Sequence, residues 1–134
     1  MLERDLIQSS GVGNTRVNGE VVGFQFRIRM PSYRGMAASL IDGAKVVVDG
    51  EKSFDIHETK WQLAGKTYTL DELHASEDLR WQLQEPATIL VELPGGLTPG
   101  IHQLDVEFRL RMSYIPIEHQ PSVYKVSKKV TVIS

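Results

Sequence analysis

The sequence predicts an all-β fold, an antiparallel two-sheet β-sandwich of about seven or eight strands with one short helix near residues 70–76. Three observations carry this reading. Long stretches alternate apolar and polar residues with period two, turn formers recur between them at regular spacing, and a helix-start signal occurs at one place only.

Residues 1–18 read as an N-terminal arm and residues 19–134 as a single sandwich domain. Residues 9–14 are turn chemistry, with glycine supplying positive φ. Val22, Phe24, Phe26, Ile28 and Met30 then share one parity, against Gly23, Gln25, Arg27 and Arg29, which makes a strand with one face on a core. It stops at Pro31, and residues 31–36 form a loop of unusual composition. Residues 41–44 read as a turn into the strand 45–48, Asp49-Gly50 as a hairpin signal, and residues 52 to about 57 as the partner strand. Residues 61–63 and 66–69 form another hairpin around Ala64-Gly65. Thr69 and Glu72 fit a capping box, in which hydroxyl and carboxylate satisfy each other's backbone donors. Residues 80–83 and 87–93 are strands, and residues 94–100 are a loop of turn formers. His102, Leu104, Val106, Phe108, Leu110 and Met112 alternate without error against Gln103, Asp105, Glu107, Arg109 and Arg111. Val126, Lys128, Val130 and Val132 mark a final strand.

At 134 residues the chain is long enough to bury roughly two-thirds of its unfolded surface without staples. A net charge of -2 lacks the basic footprint of a nucleic-acid partner. The absence of cysteine excludes a disulfide framework, thiol catalysis and thiolate metal sites, and fits a reducing compartment. Residues 1–6 alternate in charge with no apolar core of a signal peptide, and no apolar run approaches the ~20 residues that span a bilayer. The expectation is a soluble cytoplasmic protein with no membrane partner.

Residues 111–124 are too apolar and aromatic for a passive connector, and Pro116 and Pro121 stiffen them. A rigid loop with an apolar surface usually meets a partner. Two long strands end in Arg-Met followed by tyrosine and proline, at Arg29-Met30-Pro31-Ser32-Tyr33 and Arg111-Met112-Ser113-Tyr114-Ile115-Pro116. Strands running parallel in space would place both loops on one composite surface. Arg29, Tyr33, Arg34, Arg111, Tyr114 and Tyr124 are the types enriched in interface hot spots, although tyrosine serves equally as core closure at an open sandwich end.

No complete catalytic constellation emerges. The histidines are not at the i, i+4 spacing of a helical zinc motif. His102 shares the core parity of its strand and reads as a satisfied structural histidine; His57 and His74 read as solvated. His119, beside Glu118 in the apolar loop, reads as a surface or interface residue rather than a base. Asp105 and Glu107 read as partners in cross-strand charge pairing, with Arg27 and Arg29 as candidates on a neighbouring strand. Nucleophile elbows, phosphate-cradling glycine motifs and dinucleotide fingerprints are absent. A stand-alone carbohydrate-binding sandwich, with Trp61, Trp81 and the tyrosines stacking on sugar faces, is an alternative reading.

The ordered set Phe24-Gln25-Phe26-Arg27-Ile28-Arg29-Met30-Pro31-Ser32-Tyr33-Arg34-Gly35, the Asp49-Gly50 hairpin, Trp61 with Thr67-Tyr68-Thr69-Leu70-Asp71-Glu72-Leu73, Pro94-Gly95-Gly96-Leu97 and Arg111-Met112-Ser113-Tyr114-Ile115-Pro116 resembles the small β subunit of bacterial C-glycoside deglycosidases. The resemblance runs from about Gly19 to the C-terminus. It implies a hetero-oligomer in which a larger α subunit, a sugar-isomerase-like barrel with a divalent metal, typically manganese, carries the catalytic histidine. It further implies cleavage of the C–C bond between an aromatic aglycone and a 3-oxo sugar. No catalytic residue and no metal ligand is carried onto this chain. Arg29, Tyr33, Arg34, Arg111, Tyr114, Ile115, Pro116, Glu118, His119 and Tyr124 are the implied subunit-interface or substrate-entrance contacts.

Overall fold

The computed structural model describes residues 6–31, 35–111 and 122–133. The strands are β1 (Gly13–Val17), β2 (Glu20–Ile28), β3 (Met36–Ala37), β4 (Ile41–Val48), β5 (Lys52–Phe54), β6 (Thr59–Leu63), β7 (Lys66–Tyr68), β8 (Arg80–Trp81), β9 (Ala87–Glu92), β10 (Gly100–Leu110) and β11 (Ser122–Val132). A 3-10 turn spans Ala38–Leu40, and helix α1 spans Leu70–Ala75.

The strands form a five-stranded sheet in the order β1-β2-β9-β6-β7, a four-stranded sheet in the order β11-β10-β4-β5, and a small pair β3-β8. All pairings are antiparallel. The fold is therefore all-β and sandwich-like, as the alternation predicts. Phe24, Phe26 and Ile28 lie opposite Val91, Ile89 and Ala87. Leu104, Val106 and Phe108 lie opposite Val48, Val46 and Ala44. Both rows enter one buried apolar cluster, because period two puts every second side chain on the same face.

Directed contacts stitch the layers. Phe24 meets Phe54 edge-on with centroids 5.8 Å apart, and Trp61 meets Trp81 in the same way at 5.6 Å. The Thr59 hydroxyl, buried, donates to the Ala44 carbonyl at 2.9 Å, linking β6 to β4 across the core. The capping box is present: the Glu72 N–H donates to the Thr69 hydroxyl at 3.2 Å and the Thr69 N–H to the Glu72 carboxylate at 2.9 Å. The Thr69 N–H, and after it the Thr69 hydroxyl, hold the Glu72 carboxyl below its ordinary range.

Four local expectations change. Residues 13–17, read as the end of an arm, are β1, an edge strand on β2, while residues 9–11 keep their turn. Upstream, Ile7 is buried and bridges to Ile28. Residues 41–44, read as a turn, already belong to β4. Gly43, at φ +110°, sits where the β10–β4 register shifts, so its turn chemistry serves a bulge inside a strand. The partner of β4 ends at Phe54 rather than near residue 57, since residues 55–58 fold into a turn with the Glu58 N–H on the Asp55 carbonyl at 2.9 Å. Finally, β11 begins at Ser122, ahead of the alternation that marked it.

Gly23 marks a close approach of β2 and β9, because a Cβ there would lie 2.0 Å from the Val91 carbonyl oxygen. Gly23→Ala is predicted to force these strands apart and cost about 1–3 kcal/mol in urea unfolding, against a gain if the site were open. Thr69→Ala is predicted to cost about 1 kcal/mol by loss of the cap.

Candidate functional site

Of the interface residues expected from the sequence, Arg29, Arg111 and Tyr124 are described; Tyr33, Arg34, Tyr114, Ile115, Pro116, Glu118 and His119 lie outside the described residues. Arg29 is exposed just past β2, its N–H donating to the Leu6 carbonyl at 2.7 Å. It borders a shallow depression of about 460 Å³ with Gln8, Leu83 and Glu85.

Arg111 follows β10 directly and is tied to its own chain. Its N–H donates to the Leu40 carbonyl at 2.8 Å, and Nη2 donates to the Ser39 carbonyl at 2.8 Å. Its Nε lies 3.2 Å from Asp42 Oδ1. The same carboxylate oxygen lies 3.3 Å from His74 Nε2, which is 2.8 Å from the Ile41 carbonyl. A carbonyl oxygen only accepts, so His74 carries its proton on Nε2. His74, read as solvated, is exposed and in addition ties α1 to the start of β4. Sequence reading missed Ser39 and Asp42 as partners of Arg111, and His74 as joined to it through Asp42. They lie 72, 69 and 37 positions away along the chain, so no local pattern joins them.

Tyr124 lies directly opposite Phe108, and the two rings stack with centroids 5.3 Å apart and planes at 19°. This is the geometry of core closure at the sandwich edge, one of the two roles open to it from the sequence. On the outer face of β10, Arg109 donates to Glu107 at 2.9 Å, and Lys125 of β11 lies 3.8 Å from the same carboxylate. Arg109 holds the Glu107 carboxyl below its ordinary range. Asp105 accepts from the Ser127 hydroxyl. The charge pairing is cross-strand only between Glu107 and Lys125, since the Arg109–Glu107 pair lies within β10. The expected partners are corrected as well: Arg27 and Arg29 belong to the chain segment of the other sheet, because β10 lies between β11 and β4.

Trp61 and Trp81 are fully buried, against each other, and so offer no face to a sugar. That removes the two tryptophans from the platform on which the carbohydrate-binding alternative relied; of its tyrosines, Tyr33 and Tyr114 lie outside the described residues. His102, expected as a satisfied core histidine, is buried and bonded through both ring nitrogens. Among the described residues, no group of three or more His, Asp or Glu side chains is placed to hold a metal ion.

Comparison with known proteins gives a consistent result. The model of a family described as C-glycoside deglycosidase beta subunit matches residues 2–114. The chain is 37% identical over 116 residues to a C-glycoside deglycosidase beta subunit of Eubacterium cellulosolvens, covering 86% of this chain and 78% of the relative. It is 32% identical over 120 residues to a 3'-dehydrocarminate deglycosidase beta subunit of a Microbacterium species, covering 89% of this chain and 84% of the relative. A C-glycoside deglycosidase beta subunit of Microbacterium trichothecenolyticum is 28% identical over 97 residues, 72% of each chain.

Both Arg111 and Asp42 keep partial solvent contact, so their pairing is a modest one. A double-mutant cycle of Arg111→Ala and Asp42→Ala is predicted to give a coupling of about 0.2–1 kcal/mol in urea unfolding. Strictly additive losses would show that the ion pair contributes nothing.

Proposed function

Because this chain belongs to the C-glycoside deglycosidase beta subunit family, we propose that it is the accessory subunit of a heteromeric C-glycoside deglycosidase, stabilising a catalytic alpha subunit and helping to wall its active site. The observation that carries this reading is the family match across residues 2–114. The described polar clusters support it, since Asp105, Glu107, Arg109 and Arg111 are engaged within their own chain. The composite surface gains support from Arg111 at the root of one loop. It bonds to Ser39 and Leu40, a few residues past the other loop.

The proposed substrate class is a 3-oxo-C-glycoside, in keeping with the 3'-dehydro substrate in the name of the Microbacterium relative. In the proposed reaction the C3 ketone acidifies the hydrogen on C2, and a base of the alpha subunit removes it. The C2–H electron pair forms the C1–C2 double bond. The C1–C bond to the aglycone breaks with its electrons moving into the phenolic ring, which is then protonated. The divalent metal, manganese by resemblance, is assigned to the sugar-isomerase-like alpha subunit, where it would polarise the ketone as a Lewis acid. The residues described here do not fit such a metal, and no step is routed through this chain. A cytoplasmic location belongs to the same proposal; among the described residues no helix is long and apolar enough to cross a membrane.

The test is co-expression with a barrel-type alpha subunit. The expected outcome is co-purification of both chains and cleavage of a 3-oxo-C-glucoside by the complex, with no turnover by this chain alone. Turnover by the isolated chain would overturn the accessory role, and failure of the alpha subunit to bind would overturn the partnership. Within the complex, Tyr114→Ala or Ile115→Ala is predicted to weaken association by about 1–4 kcal/mol in a binding titration, the range for central anchors.

A further inference from the structure

We infer that His102 is held as an imidazolium and that, with Asp49 and the Thr98 carbonyl, it forms a pH-sensitive latch fastening the β4–β5 turn and the loop of residues 94–99 to the start of β10. The inference does not depend on the subunit's partner.

The geometry leaves little choice of protonation. His102 Nε2 lies 2.6 Å from the Thr98 carbonyl oxygen, which has no proton to give, so Nε2 carries hydrogen. Nδ1 lies 2.7 Å from Asp49 Oδ2. Asp49 Oδ1 accepts the Gln103 N–H at 2.7 Å, which favours the ionised carboxyl; a carboxylate has no proton to give from Oδ2, so Nδ1 carries hydrogen too. A neutral ring would turn a nitrogen lone pair toward one of these oxygens. The imidazole is only 11% exposed, which restricts water from stepping in as a substitute.

Three segments meet here. Asp49, at φ +53° in the turn, also donates its N–H to the Gln103 carbonyl at 2.8 Å, so turn and strand are zipped together. Thr98 presents its carbonyl from the loop, with its hydroxyl 3.5 Å from Nε2. From β11 the residue opposite the ring is Val130, and the next lysine on that face, Lys128, lies opposite Leu104. Among the described residues Asp49 is thus the charged group that faces the ring. It raises the His102 pKa above the ordinary 6.5, with the Thr98 carbonyl adding to the effect. The Gln103 N–H, then His102, lower the Asp49 pKa below the ordinary 3.8.

The signs follow by linkage. A raised histidine contributes fully below 6.5, and its contribution is lost as pH rises through the folded value. A depressed carboxylate contributes above 3.8, and its contribution is lost as pH falls through its folded value. The latch is closed in weakly acidic solution and opens on the alkaline side as the ring loses a proton.

Nitrogen NMR of the imidazole in the full chain tests this directly. Near pH 6 both ring nitrogens are expected to show the protonated shift. On raising the pH through the ring's titration, protection of the Asp49 and Gln103 amides, corrected for intrinsic exchange, should fall. The expected fall is about tenfold per unit by which the ring's pKa in the latched state exceeds that in the open state. His102→Gln, which keeps a donor but cannot titrate, should give a flat profile over this range, and Asp49→Asn should lower the ring's titration, leaving only the Thr98 carbonyl to raise it. An unprotonated ring nitrogen near pH 6 would overturn the proposal, as would the same loss of protection in His102→Gln. Should that variant fail to fold, the wild-type ring spectrum decides alone.

Discussion

Strand β10 is hydrogen-bonded on both sides, to β11 from end to end and to β4 over residues 104–110. Its backbone groups therefore find partners within the sheet, and its inward face can lie where no water reaches. The inward row of Leu104, Val106, Phe108 and Leu110 then sits at the centre of the apolar cluster that β2 and β9 close from the other layer. Each of these four side chains is essentially without exposure, and at roughly 25 cal/mol per Å² of apolar area such a row outweighs any single surface ion pair in this molecule. Register follows from the same constraint, since a slip by one residue would bring Asp105, Glu107 and Arg109 into the core.

Polar fasteners stand at the two ends of this strand. At its start, His102 joins Asp49 and Thr98; just past its end, Arg111 joins Asp42, Ser39 and, through Asp42, His74. Each brings together segments that the sheets alone would leave free, a hairpin turn with a loop in one case and a 3-10 turn with the helix-bearing crossover in the other. The first joins a buried imidazole to an exposed carboxylate and is charge-assisted; the second is partly exposed on both sides and modest. Between them, the apolar row sets the strand and the fasteners set what leaves it.

That division suits the accessory role proposed above. Family membership makes this chain a beta subunit, a name that implies a partner subunit, and a sandwich is a suitable frame for presenting surfaces. On the outer face of β10, Glu107 pairs with Arg109 of its own strand and Lys125 of β11, and Asp105 with the Ser127 hydroxyl. In the proposed division of labour, chemistry belongs to the partner and shape to this chain.

The sequence by itself determined the alternating strands, the Asp49-Gly50 and Ala64-Gly65 turns, the capping box at Thr69 and the burial of His102, because each is written in spacings of a few residues. Its order of motifs also pointed to the family. It did not determine β1, whose Gly-Asn-Thr-Arg-Val stretch is a strand only because the edge of β2 pairs with it. Nor did it reveal that Gly43 serves a bulge, since a glycine in a strand and one in a turn look alike until the partner register is known. The placing of Arg27 and Arg29 away from Asp105 and Glu107 was decided by which strands became neighbours, and the loss of Trp61 and Trp81 to the core by which faces met. Arg111 joined Asp42 and His102 joined Asp49 across tens of residues. Hydrogen bonds of that kind exist only once β10 has paired with β4, because hydrophobic periodicity orders each strand locally while the partner strand decides which polar groups meet.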